Sequence, residues 1–215
     1  MRSLWEKLTW WVDKKTSKVS LGKRLIAYLI DWFLGGIIGG FPAVLIFALV
    51  TDSSDMFGSL YDLPALDYPT YWSYIIGISC LVVGLIYYVY IPLKKYPGQT
   101  LGKKIMKIKI MRVDGDPLNL KTLIIRQVIG LMLLEGTAVV VSIYLWQMLT
   151  LATKFYIENY STIVTYAITL LSTILVYITP SRRSIHDYMA KTRVALEEEV
   201  YVAPQKEKNK ARKSR

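Results

Sequence analysis

The chain has 215 residues, enough for one domain, and is 53% hydrophobic while carrying 27 Lys+Arg against 16 Asp+Glu, a formal charge of +11. Its single cysteine, Cys80, excludes an intrachain disulfide, and one cysteine with one histidine, His186, excludes an ordinary Cys/His zinc site. No histidine-based triad and no GxGxxG loop is visible, so no catalytic residue, metal or cofactor is expected and the chain does not read as an enzyme.

Residues 1–17 open the chain with Leu4, Trp5, Leu8, Trp11 and Val12 at i, i+1, i+4, i+7 and i+8, while Arg2, Glu6 and Lys7 fall off that face. This pattern predicts an amphipathic interfacial helix on the inner leaflet; a frayed tail is the plainer alternative. A run without Lys or Arg follows from Leu25 to Val50, interrupted only by Asp31. The loop 51–70 is acidic (Asp52, Asp55, Asp62, Asp67), and Tyr68, Tyr71 and Trp72 mark the entry to a second apolar run, Tyr71–Leu93. A basic segment, 94–126, comes next and includes a cytoplasmic β insert at 98–121. Met106–Val113 partly alternates, Asp114-Gly115 signals a hairpin turn, and Pro117–Leu120 is placed as the returning strand, with Lys191–Leu196 as a third. Gln127–Thr153, with its core at 127–150, is a third apolar run and contains Glu135; Tyr160–Pro180 is the fourth. From 197 the chain is charged, and Gln205–Arg215 lacks apolar residues apart from Ala211, which predicts a disordered tail that can touch anionic lipid.

Each apolar run reaches the roughly 20 residues that a helix needs to cross a bilayer core of about 30 Å. Basic residues partition with the runs. Residues 1–24 hold seven, 94–126 nine and 181–215 ten, while the loop near 150–160 holds only Lys154, so 26 of the 27 fall on one side of a four-span arrangement. That is the positive-inside pattern for both termini in the cytoplasm. It accounts for the charge without nucleic acid, which is not expected as a partner. A cleaved signal peptide is not expected either: the charged region and the first run are too long, and no A-x-A site follows. The expected fold is an all-α membrane protein of the cell membrane. It is a four-transmembrane-helix bundle, N-in/C-in, with an interfacial helix before it at 1–17 and a small cytoplasmic β-hairpin or sheet. The expected partners are a bilayer with an anionic inner leaflet and a homo-oligomer or partner membrane protein.

Several short motifs keep a fixed order around these runs. Arg24 opens the first and Asp31 lies within it, in R-L-I-A-Y-L-I-D. Gly98-Gln99-Thr100-Leu101-Gly102-Lys103 follows the second as G-x-T-x-G-K. Ile108–Val113, Asp114-Gly115 and Arg126 come next, and Arg182-Arg183-Ser184-Ile185-His186-Asp187 leads into Thr192–Ala195. In these features the chain resembles the RDD family of membrane proteins, named for one arginine and two aspartates, over roughly residues 18–196. Asp187 stands where the family has its second aspartate. The resemblance implies the fold and membrane placement, and roles such as transport of a cation or small solute. The acidic outer loop and the Trp-rich opening segment are particular to this chain.

Asp31 lies two helical turns after Arg24, and Glu135 lies nine residues after Arg126, so both carboxylates reach similar depths. Two readings follow: a cation or proton site flanked by Arg24 and Arg126, or interhelical salt bridges such as Asp31 with Arg126. His186 and Asp187 sit where the last run ends. With no Ser or Cys nucleophile nearby, Asp187 is expected to accept from backbone amides or an arginine such as Arg24. Gly35, Gly36, Gly39 and Gly40 form two overlapping GxxxG patterns, which serve packing within the chain or a dimer seam. Thr162, Thr165, Thr169, Ser172 and Thr173 line one face of the fourth run, as hydroxyl glue or a wetted path. Gly98–Lys103 lacks P-loop spacing and reads as a turn at the headgroups. Transport and a non-catalytic accessory or regulatory role, binding lipid or another membrane protein, are the two function classes left open.

Overall fold

A computed structural model describes residues 16–53, 55–136 and 139–199. The apolar stripe at Leu4–Val12 and the tail from 200 onward lie outside them. The first helix, α1 (Leu21–Thr51), begins at Ser20, whose hydroxyl accepts from the Lys23 N–H, and ends where Asp52 turns left-handed. After the short α2 (Asp62–Ala65), α3 runs from Tyr71 to Leu85 and continues as a π-helical stretch, Ile86–Lys95. The short α4 (Leu101–Ile105) leads to β1 (Ile108–Arg112). Another short helix, α5 (Leu120–Leu123), continues as a second π-helical stretch, Ile124–Leu134. The chain then forms α6 (Val140–Thr153), α7 (Ile157–Ile178), α8 (Ile185–Met189) and β2 (Thr192–Leu196).

Three of these helices are long and apolar enough to cross a membrane: α1, α3 with its π continuation (Tyr71–Lys95), and α7. The third apolar run, expected as one helix through 127–153, is in two pieces. Its π-helical part stops at Leu134, where the Glu135 N–H still reaches the Gly130 carbonyl at 3.0 Å. Glu135 itself leaves the helix at φ −107° and ψ 26°, Gly136 follows in a tighter turn, and α-helix is again present from Val140. A carboxylate drawn sideways by bonds to other elements, next to a weak helix former, breaks the run. The remaining α6 is 14 residues, about 21 Å, too short to cross alone.

The β-element also differs from expectation. Pro117–Leu120 is not a strand; Asn119 accepts from the Thr122 N–H at 2.8 Å and starts α5. The strand β1 instead pairs antiparallel with β2, from Ile108 opposite Leu196 to Arg112 opposite Thr192. Asp114-Gly115 does turn, with Gly115 at φ +86° and Arg112 bonded to Asp114, but Pro117 brings no N–H to a returning ladder. The result is a two-stranded sheet closed between distant parts of the chain. Its buried Ile108 and Val194 pack on Val19 and Ala27 at the start of α1.

Two further apolar clusters continue along the bundle. Tyr87, Tyr88, Met132, Val139 and Val141 fill the middle. Phe47, Leu60, Leu63, Ile76, Tyr144 and Met148 fill the end near the acidic loop. The α1 glycines let these layers close: a Cβ on Gly35 would collide with the Tyr88 hydroxyl, and one on Gly39 would lie 3.0 Å from Val141. The glycine seam is therefore occupied by the π-helical continuation of α3 and by α6 of the same chain. Outward faces of α1 and α7 are apolar and not covered by other described residues, with Leu49 74% and Tyr177 75% exposed, as a lipid-facing belt requires.

Candidate functional site

The basic end of the bundle gathers the buried charges. Asp31, on α1, is 4% exposed and is bonded by the G-x-T-x-G-K turn and by the π-helical continuation of α3. Thr100 Oγ1 and Lys103 Nζ donate to Oδ2 at 2.5 and 3.0 Å, while the Gly102 N–H and Tyr87 Oη donate to Oδ1 at 2.9 Å each. The two glycines of the motif have separate reasons. Gly98 holds φ +78° and exchanges close contact with Ile110, whose N–H donates to its carbonyl at 2.7 Å. Gly102 lies so near α1 that a Cβ would collide with the Ala27 carbonyl. The turn expected at the headgroups is thus a cradle for the Asp31 carboxylate, and the partner of Asp31 is Lys103 rather than Arg126.

Arg126 belongs to Asp187. Its Nε and Nη2 donate to Asp187 Oδ1 at 3.1 and 2.9 Å, and Arg24 Nη2 donates to Oδ2 at 3.0 Å. Thr192 Oγ1 donates to Oδ1, and Ser184 donates its hydroxyl to Oδ2 in a capping box that starts α8. Burial alone would raise the Asp187 carboxyl, but the guanidiniums of Arg126 and Arg24 hold it well below its ordinary value of 3.8. One fully buried carboxylate thereby joins the starts of α1 and the third run to the end of the last helix. Arg183 adds to the same corner, donating to the Thr192 and Asp187 carbonyls and lying 4.2 Å over the Tyr188 ring.

Glu135 forms a third cluster. Its Oε1 accepts from the His186 N–H at 3.0 Å and from Ser172 Oγ at 2.9 Å, and its Oε2 faces His186 Nδ1 at 2.9 Å. Arg126 Nη2 stands 3.1 Å from His186 Nε2. An arginine only donates, so Nε2 is the acceptor and Nδ1 carries the proton given to Glu135. The imidazole thus links Glu135 to the Asp187 cluster as a structural bridge.

Between α1 and α7 lies a cavity of about 610 Å³. Arg24, Asp31, Lys103, Arg126, Gln127, Glu135 and His186 touch it at the basic end, while Leu25, Tyr28, Trp32, Val176 and Tyr177 form its apolar walls. Thr169, Ser172 and Thr173 of the predicted hydroxyl face also line it, whereas Thr165 is buried and bonds the Thr162 carbonyl on its own helix. Asp31 and Glu135 therefore share a cavity, but each is bonded within its own cluster. Among the described residues no group of three His, Cys, Asp or Glu could hold a metal ion.

A family model described as the RDD family matches residues 18–191. The chain belongs to the RDD family. No curated protein and no solved structure matches it. In this RDD protein the named arginine and aspartates, Arg24, Asp31 and Asp187, all lie in the clusters of the basic end. The residues that sequence reasoning missed as partners are Tyr87, Gln127, Ser172, Ser184 and Thr192. Gln127 accepts from the adjacent Arg126 and Ser184 donates to Asp187 three residues on, whereas Tyr87 and Ser172 reach groups 56 and 37 positions away that no local pattern marks. Lys103 and Thr100 were visible in a motif, but nothing nearby pointed that motif at Asp31.

Proposed function

We propose that this RDD protein is a four-crossing membrane protein with both termini cytoplasmic, and that it works as a non-catalytic binding protein rather than an ion-coupled carrier. The third crossing is the broken one, its π-helical half and α6 together covering the bilayer. Support for an even number of crossings comes from contacts at the two ends. Ser17 donates to Pro180, Arg182 to Val19, and Arg24 to Asp187 at the basic end, while Tyr61 donates to Glu158 at the acidic-loop end. At 31 residues α1 is about 46 Å long, and the part beyond Asp31 alone matches a core of about 30 Å. Asp31 then stands at the inner border, where α4 covers it, rather than deep in the lipid.

The observation that carries the binding reading is the saturation of the carboxylates. A cation or proton carrier needs a carboxylate that can release its partners to a passing ion. Asp31 has a lysine, a hydroxyl, a phenol and a backbone amide already in place, and Glu135 has an imidazole, an amide and a hydroxyl. What stays open is a largely apolar cavity beside them, in the size range of small-molecule sites. One observation favours transport of a cation or small solute as a second reading: both carboxylates line that same cavity.

Proteoliposomes separate the two. The expected result is no ion flux above empty liposomes under an imposed pH or sodium gradient. Flux that Asp31→Asn abolishes, in protein that still melts cooperatively, would instead establish the carrier.

A further inference from the structure

We infer that the cavity between α1 and α7 holds an acyl chain of an anionic phospholipid from the inner leaflet, with its phosphate against Arg24 and Gln127. The inference rests on the binding reading above and names its ligand. α1 packs mainly on α3, α4 and α6, and α7 packs on α6 and the second π-helical stretch, so among the described residues nothing fills the gap between α1 and α7. Its mouth is lateral: Leu25, Trp32 and Tyr177 line it and are 58%, 50% and 75% exposed on faces that meet lipid. A lipid tail enters there without leaving the bilayer.

The basic end supplies the headgroup chemistry. Arg24 Nη1 and Gln127 Nε2 are buried donors with no partner among the described residues, although Gln127 is only 1% exposed. A buried donor without an acceptor is destabilising, and a turn of the terminal amide or guanidinium presents it to an oxygen at the cavity wall. Charge favours an anion. Arg24, Lys103, Arg126, Arg182 and Arg183 surround this corner against the carboxylates of Asp31, Glu135 and Asp187, which are all bonded already. A phosphate brings several acceptor oxygens and a negative charge to that excess, at the depth where an inner leaflet presents it. A second copy of the chain has no such group to offer, and a neutral chain leaves the donors unpaired.

The test uses full-length protein and native mass spectrometry with phosphatidylglycerol and phosphatidylcholine of identical chains. One phosphatidylglycerol per chain is expected to survive activation that strips phosphatidylcholine, with a preference of about tenfold. Thr173→Trp, which fills the cavity from α7, abolishes that retention, and Gln127→Leu lowers it several-fold. Equal retention of both lipids overturns the proposal, as does phosphatidylglycerol retained undiminished by Thr173→Trp. Displacement by inorganic phosphate would make the site one for free phosphate and also overturns it. A change of oligomeric state in Thr173→Trp with lipid binding intact would assign the groove to a second copy instead. Quenching of Trp32 by brominated-chain lipids, taken as wild type minus Trp32→Phe, needs no cavity variant. Stronger quenching by the anionic lipid is expected, and equal quenching refutes the site. Lipid failure without ion flux leaves the binding reading standing; ion flux with lipid retained removes that reading alone.

Discussion

Asp31 and Asp187 are both buried carboxylates at the basic end, yet they are held in different ways. Asp31 sits mid-helix and is received by a turn: one lysine, one hydroxyl, one phenol and one backbone amide converge on it. Asp187 sits in a short helix and is received by two arginines from two other helices. The lysine on Asp31 is 17% exposed and can swing to water, whereas Arg126 is 3% exposed and cannot. The cradle of Asp31 therefore tolerates losing a charge better than the corner around Asp187. Asp31 fixes where the turn after α3 and its π-helical continuation lies on α1, and Asp187 fixes how α1, the second π-helical stretch and the segment after α7 meet.

The largest effect is expected at Asp187. Asp187→Asn leaves two buried guanidiniums without a counter-ion, a loss of about 3–5 kcal/mol, read as the collapse of a monodisperse peak and of the melting transition. Acid makes the same test without mutation. Because its folded value is depressed, the stability that Asp187 adds is fully present above 3.8 and is lost as pH falls through the lower folded value. Its contribution to the melting temperature should hold constant from neutral pH to about 4 and decline only below that. A melting temperature that instead rises as pH falls from about 6, and that Asp187→Asn flattens, would mean a raised folded value and the opposite sign.

Asp31→Asn should come next, at about 2–3 kcal/mol, because Tyr87 and the Gly102 N–H keep the amide oxygen to donate to, the Thr100 hydroxyl turns to accept from the new amide N–H, and Lys103 moves outward. A loss as large as that of Asp187→Asn would erase the distinction between the two sites. Gly102→Ala attacks the cradle through its backbone approach to Ala27, with about 1–3 kcal/mol expected in thermal unfolding. Gly35→Ala is of similar size, and Tyr88→Phe should rescue it by removing the hydroxyl that a Cβ meets. The smallest effect belongs to the exposed Arg112–Asp114 pair, where Asp114→Ala should change stability by less than about 0.5 kcal/mol.

The sequence by itself determined what depends on neighbours along the chain. Runs of apolar residues marked α1, α3 and α7, since a membrane helix must be apolar over consecutive turns. Motif order identified the RDD family, and the glycine spacing on α1 marked a close helix contact. Alternation found the strand at Ile108–Arg112 and the segment at Thr192–Leu196, but not that the two pair with each other. The motif order also anticipated Arg24 on Asp187, but tertiary structure alone decided Lys103 on Asp31 across 72 positions and His186 on Glu135 across 51. It also decided the break at Glu135, because a carboxylate bonded by α7 and α8 turns out of a helix that hydropathy alone would continue. Hydropathy and periodicity are sums over adjacent residues, whereas a buried ion pair is chosen by which surfaces pack once the helices have met.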